Sequence, residues 1–330
     1  MYLFTVHHWI LESGAMRLIG YYASWSIYGR NYFLKDLPAE KLTHVTFVFA
    51  LPKVDGTLGV EELRKIGIKR IEGIKIGVAI GGWGTSEAFL AALNDNMNIF
   101  IDSCSKLVEE FDLDYLEIDW EYPQTKEQTN LLGSFLKKLK QQLPKGKELS
   151  ACLPCFKINF SAKQLVPFVD FFVLMAYDLV GSWSELSGHH SALFPTIAEH
   201  CEHLNKEEMI PKEMIVLSCP LYARTFANCS GPNQKFSGAG TGSFGEAEVM
   251  DYKECVKHCK EIIYDPKTAA CYAIHDQNYF SFDGPESIRT KCRWVMETDF
   301  GGLAFWHVAA DASGNGSLIS AAATEIMKIE

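Results

Sequence analysis

Residues 110–123 read EFDLDYLEIDWEYP. Within this stretch Glu117, Asp119 and Glu121 alternate with Leu116, Ile118 and Trp120. On a strand, successive side chains point to opposite faces. Three acids therefore share one face and three apolar residues share the other. At a solvated sheet edge that pattern costs little. In a buried strand it is expensive, because unpaired carboxylates resist transfer out of water. The surrounding sequence decides between the two.

Apolar, β-rich runs recur on both sides of it. RLIGYY (17–22), HVTFVFA (44–50) and IKIGVAIGG (74–82) precede LDYLEIDWE (113–121). ELSACLP (148–154), DFFVLMAY (170–177), MIVLSCPLY (214–222) and GLAFWHV (302–308) follow, which makes eight. Near-continuous apolar strands are buried on both faces and pair in parallel. Helical patterns lie between them, such as 97–111, 128–143, 197–207 and 285–298. Eight alternating units predict an α/β fold, a (β/α)8 TIM barrel. One gap breaks the rhythm: from Ala223 to Asp283 no helical pattern appears. That segment opens Gly/Ser-rich (SGAGTGSFGEAE, 237–248), and IIYDPKTAACYAI and NYFSF then read as short strands. The predicted organisation is an N-terminal extension (1–16), a barrel (17–330), and a small α+β insertion (224–284) between the seventh strand and its helix.

In such a barrel the fourth strand turns one face to the helices and one to the interior. Leu116, Ile118 and Trp120 suit the helical side. Glu117, Asp119 and Glu121 then line the interior and climb toward the C-terminal rim, where active sites of this fold sit. The flanking runs are apolar throughout, which argues against a solvated edge. Three carboxyl groups this close cannot all be ionised at neutral pH, so they share protons. A carboxyl held protonated near neutrality is what a general acid requires.

Composition bounds the partners. The formal net charge is −10, which argues against nucleic acid or an anionic membrane as the main partner and suits a neutral or cationic ligand. Seven Trp leave aromatic rings available as ligand platforms. No apolar run approaches the roughly 18 residues that span a bilayer. MYLFTVHHWILESGA (1–15) is a poor secretory signal, with no basic segment before it and His7 and His8 within it. Ten Cys are scattered along the chain. Cys152-Leu-Pro-Cys155 resembles half of a redox or zinc motif, but no second CxxC accompanies it. Buried free thiols account for the cysteines more simply, and no metal or cofactor is expected. Cys229, Cys255, Cys259 and Cys271 can pair only if the protein is exported, and the sequons at Asn159, Asn228 and Asn315 matter only under the same condition.

DYLEIDWEYP is similar to the D-G-x-D-x-D-x-E signature of glycoside hydrolase family 18, the chitinase family. GYYASW (20–25) resembles the family's first strand, and AIGGW (79–83) its S-x-G-G-W. LMAYDLVGSW (174–183) resembles M-x-Y-D, and CPLYARTF (219–226) resembles P-x-Y-x-R. GGLAFWHVAAD (301–311) resembles the closing strand, and the insertion resembles the extra domain of deep-cleft members. The resemblance implies a retaining, substrate-assisted hydrolysis of β-1,4-linked N-acetylglucosamine chains. In that scheme Glu121 is acid and base, Asp119 orients the acetamido group, and Tyr177 donates to its carbonyl. Glu117 supports Asp119 from below, and Asp178 contacts the sugar near the scissile bond. Trp306 floors the cleavage subsite, while Trp83 and Trp25 extend the platform. Tyr21 bonds deep in the acid stack, and Met175, Tyr222 and Arg224 line the cleft. Trp183 matches less firmly and is left out. The implied partner is chitin or its oligomers, met by a monomer, and cutting an external polymer favours export.

Three positions depart from the family pattern: Tyr115 stands where the family has Gly, Glu117 where it has Asp, and Ala79 where it has Ser. Tyr115 is expected to fill the lower barrel. Glu117 is expected to reach into room left by Ala79. Two rivals share the fold: a chitin-binding lectin, which typically lacks the acid retained here, and an endo-β-N-acetylglucosaminidase acting on glycans.

Overall fold

The computed structural model describes residues 16–156 and 161–328. The N-terminal extension up to residue 15 and the sequon at Asn159 lie outside these residues. Eight parallel strands form the centre: β1 (Arg17–Ala23), β2 (His44–Pro52), β3 (Lys75–Gly81) and β4 (Tyr115–Asp119), then β5 (Glu148–Pro154), β6 (Phe171–Met175), β7 (Ile215–Pro220) and β8 (Gly302–Trp306). Each pairs with its neighbours in sequence order, and β1 pairs with both β2 and β8, which closes the barrel. The chain is thus a (β/α)8 TIM barrel.

Strand alternation divides the apolar residues into two layers. Ile19, Tyr21, Val48, Tyr115, Val173 and Val216 pack inside the barrel. Leu116, Ile118 and Trp120 join the larger core between strands and helices. Tyr115 is fully buried and donates or accepts a 2.6 Å hydrogen bond with Thr46. Its ring fills the space over Gly77, its register partner on β3; a Cβ there would lie 2.4 Å from the ring.

The helices follow from apolar spacing and from capping. Met97–Phe111 buries Phe100, Ile101, Cys104, Leu107 and Val108, one face at helical spacing. It ends at Asp112 in the left-handed region, whose amide returns to Val108. Lys126–Gln142 starts at Thr125, whose side chain accepts from the Gln128 amide.

Three features differ from the sequence reading. The β5–β6 connection carries only the 3-10 turns Ala162–Gln164 and Val166–Phe168 among the described residues, not a full helix. Pro167, which lacks an amide hydrogen, sits at the start of the second turn and cannot continue an earlier helix. The seventh barrel strand stops at Pro220, and Tyr222–Ala227 begins a separate antiparallel sheet of five strands. Its order is Val249–Asp251, Tyr222–Ala227, Asn278–Phe282, Ala270–His275, Ile263–Asp265. Tyr222 and Arg224 therefore stand on the small sheet, not on the barrel. Finally, a short helix, Tyr252–His258, lies in the insertion expected to be α+β, where no helical pattern had stood out. All ten cysteines are free; the Cys255 and Cys259 sulfurs are 3.9 Å apart, while Cys229 packs elsewhere, with Phe226 and Tyr279.

Candidate active site

β4 sets the site. Trp120, just past its end, stacks on Phe89 at 5.3 Å and 6° and donates from Nε1 to Ser86 Oγ at 2.8 Å. Both partners belong to the segment Ser86–Asp95, a helix outside the barrel. With Trp120 pinned outward, alternation sends Asp119 and Glu121 inward. The three acids then form a column from barrel interior to rim.

Glu117 is the lowest and is fully buried. Its Oε1 accepts from the Tyr21 hydroxyl at 2.7 Å, and its Oε2 from Ser150 Oγ at 3.1 Å. Burial pushes its carboxyl up to about 7, although these hydrogen bonds pull the other way. Ala79 is its register partner on β3. Asp119, above it, is also buried, and its Oδ1 has no hydrogen-bond partner. Burial, then the charges of Glu121 and Glu117, raise Asp119 well above the usual carboxylate range. Glu121 is half-buried at the rim. Burial raises it, hydrogen bonding with Tyr122 opposes this, and the charge of Asp178 adds to the rise.

Asp178 is held differently. Arg224 grips it with two bonds, Nε to Oδ1 at 2.8 Å and Nη2 to Oδ2 at 2.6 Å. The Tyr222 hydroxyl donates to Oδ1 at 2.7 Å, and His190 Nδ1 stands 3.5 Å from the same oxygen. Burial opposes ionisation, but the bonds from Arg224, with His190 close by, outweigh it and hold this carboxyl far below its ordinary value. Arg224 is itself placed by Glu248 at 2.9 Å.

Aromatic rings surround the acids. Trp306, at the end of β8, lies edge-on to Tyr21 at 5.3 Å, 5.7 Å from Phe49 and 6.4 Å from Trp25. Trp83 stands at the rim with 82 % of its surface exposed, which no core role explains. All these groups open on one cleft of about 1440 Å³. Every site residue named from the sequence lines it except Glu117, which lies beneath the floor. The CLPC pair lies here as well: Cys152 and Cys155 both line the cleft.

Several site residues escaped the sequence reading. Trp183, set aside there, is 60 % exposed in the cleft, with the Arg224 guanidinium 4.9 Å from its ring. Ser150 and Cys152 share the inward face of β5, as the alternation in ELSACLP already implied. His190 and Phe49 carried no sequence signal; a loop and the rim of β2 bring them in.

The sequence and the fold both match known proteins. The profile of "Glycosyl hydrolases family 18" matches residues 17–311. "Chitinase 1" of Aphanocladium album is 28% identical, the match covering 91% of this chain and 83% of that protein. "Endochitinase 1" of Metarhizium anisopliae is 27% identical, with 93% and 84% covered. Among solved structures, the Group II chitinase catalytic domain 2 of Ostrinia furnacalis superposes with a TM-score of 0.88 at 19% identity, covering 96% of this chain and 97% of that one. A Cycas revoluta chitinase in complex with (GlcNAc)3 gives 0.82 at 20%, covering 94% and 99%. At these identities the structural likenesses establish the shared fold.

Proposed function

The chain belongs to glycosyl hydrolases family 18, and from that premise we propose that it is a chitinase cutting β-1,4-linked N-acetylglucosamine chains by a retaining, substrate-assisted route. One observation carries the reading. Of the acids gathered in the column and beside it, Glu117, Asp119, Glu121 and Asp178, only Glu121 is neither enclosed nor ion-paired. Asp119 is buried beneath it and Asp178 is locked to Arg224. Neither Asp119 nor Asp178 is therefore free to serve as nucleophile or base from the opposite face, the arrangement most glycosidases use; Glu199, Glu246 and Asp251 also line the cleft, the last two on Arg30. The nucleophile must then come with the substrate, and a 2-acetamido carbonyl is suitably placed on the sugar.

Glu121, raised by burial, donates its proton to the glycosidic oxygen. As that bond breaks, the acetamido carbonyl oxygen attacks the anomeric carbon and an oxazolinium ion forms. Asp119 accepts from the acetamido N–H through its unpartnered Oδ1 and stabilises the positive charge. The Tyr177 hydroxyl donates to the carbonyl oxygen and aligns it. Glu121, now a carboxylate, takes a proton from water, which opens the ion with net retention. Glu117, held by Tyr21, keeps the negative charge under Asp119 variable through proton sharing. Trp306 stacks under the cleaved sugar; Trp25 and Trp83 carry its neighbours, Met175 and Tyr222 the cleft wall. Asp178 and Arg224 present one rigid polar unit to the sugar at the scissile bond.

The test is hydrolysis of chitohexaose set beside its fully deacetylated counterpart. The acetylated chain should be cut and the deacetylated one resisted, and Glu121→Gln should lose about 10²–10⁴-fold in kcat. Equal rates on both chains, or a Gln variant with the parent rate, overturn the proposal. Binding of chitohexaose without turnover by the parent protein assigns it as a lectin instead.

A further inference from the structure

Cys152 has no part in the scheme above, yet it stands inside the acid column. Glu117 pairs with Ser150 and Ile118 with Ala151 in the β4–β5 register. One step further along, Cys152 comes level with Asp119, and alternation turns it to the same interior face as Ser150. On its other side it pairs with Val173 of β6, an inner-core residue. It is the most exposed of the ten cysteines, and it lines the cleft. Glu117 already has two donors, Tyr21 and Ser150. Asp119, by contrast, keeps a bare oxygen.

We propose that Cys152 is a positioning residue: its thiol donates to the acid column and fixes how Glu117 and Asp119 share their proton. This rests on the chitinase reading only for its catalytic consequence. A thiol is a weak donor, and it acts where two carboxyl groups already compete for a proton, so a small bias decides which carries the charge. A donor at this place favours the ionised form of the carboxyl groups beside it, Glu117 and Asp119. Burial, then the charges of Asp119, Glu117 and Glu121, push the thiol itself well above its ordinary value. It therefore stays protonated at neutral pH, a donor and not a nucleophile.

The other titratable groups facing this column are few. Tyr21 comes from β1, and Tyr115 lies below Glu117 with His44 against its ring. Glu121 and Tyr122 follow β4, and Tyr177 and Asp178 follow β6. The inward residues of β3, β7 and β8 at this level are Ala79, Ser218 and Trp306, none of which titrates.

Two variants test the role, Cys152→Ala and Cys152→Ser. The first readout needs no substrate: side-chain carboxyl carbons are followed by NMR through a pH titration of the free protein. Loss of a donor to the ionised form raises a carboxyl pKa, so the Glu117–Asp119 pair should titrate about 0.5 to 1 pH unit higher in Cys152→Ala. Cys152→Ser should return it to or below the parent value. The second readout is the pH profile of kcat/KM on chitohexaose. Its acidic limb should move up in the Ala variant and return in the Ser variant, with KM little changed. Thermal melts establish that both variants are folded. A titration unmoved by Cys152→Ala, or not rescued by Ser, overturns the proposal. A parent protein that cuts no chitohexaose sinks the chitinase reading alone, since the titration still decides the role of the thiol.

Discussion

Glu117 carries a cost that can be measured residue by residue. Its ordinary value of 4.5 rises to about 7 in the folded chain, with burial as the main cause. Between those two values the unfolded chain has released this proton and the folded chain retains it. The native state then binds more protons, so stability falls as pH rises through that window. The full gap corresponds to roughly 3 kcal/mol. Glu117→Gln removes the ionisation while keeping an acceptor for Tyr21. The variant and the parent should be alike below about pH 4.5, and the variant should gain up to roughly 3 kcal/mol by about pH 7. Urea unfolding across that range measures it; parallel curves would show that Glu117 holds no buried proton. This acid was legible in the sequence because parity along one strand placed it with Asp119 and Glu121. Its donor Ser150 was not singled out, though the same parity on ELSACLP points to it. The locking of Asp178 was wholly illegible: Arg224, Tyr222 and His190 reach it from a different sheet and a loop, and no local pattern encodes that meeting.

At the scale of the element, β3 and β4 are matched by one large and one absent side chain. Tyr115 fills the lower barrel because Gly77 leaves it room. Both are buried and the contact is backbone against ring, so neither side yields cheaply. Gly77→Ala should cost about 1–3 kcal/mol through overpacking. The same change in a Tyr115→Ala background should cost much less, because the ring it strikes is gone. A double-mutant cycle by urea unfolding reads the difference; equal costs in the two backgrounds would mean that the ring and the glycine are not coupled. Elements with strong periodicity were read well. The helix 97–111 was bounded to the residue, and all eight strands were found, since continuous apolar runs between turn signals leave few alternatives. The misreadings fall where local pattern loses to connection. Nothing in CPLYARTF marks that the barrel strand ends at Pro220 and a second sheet begins at Tyr222. The helix Tyr252–His258 is too short to show a period of its own.

Across the whole molecule, two arginines tie the small sheet to the barrel. Arg224 runs from the sheet to Asp178 beyond β6. Arg30 runs the other way, from the turn after β1 to Asp251 in the strand Val249–Asp251. It meets Asp251 through Nε and Nη2, each at 2.7 Å, and Glu246 at 3.1 Å, with its guanidinium 4.5 Å from the centre of the Phe244 ring. The Arg30 side chain is only 6% exposed and that of Asp251 2%, so solvent does little to screen the pair. The value of such a fork lies less in its net energy than in what its rupture leaves behind. Arg30→Ala would strand the Asp251 carboxylate in the interior, with only Lys253 nearby at 3.7 Å. Breaking a buried pair in this way should cost about 3–5 kcal/mol. Removing Asp251 as well takes away the stranded charge, so Arg30→Ala with Asp251→Ala should cost clearly less than the sum of the two single changes. Urea unfolding of the four proteins in the cycle gives the coupling directly. If the single costs simply add, the fork does not hold the sheet to the barrel, and the apolar contacts beneath it must do so alone. Costs that fall clearly short of additive would locate one attachment of the small sheet in the ion pair between the turn after β1 and the strand Val249–Asp251.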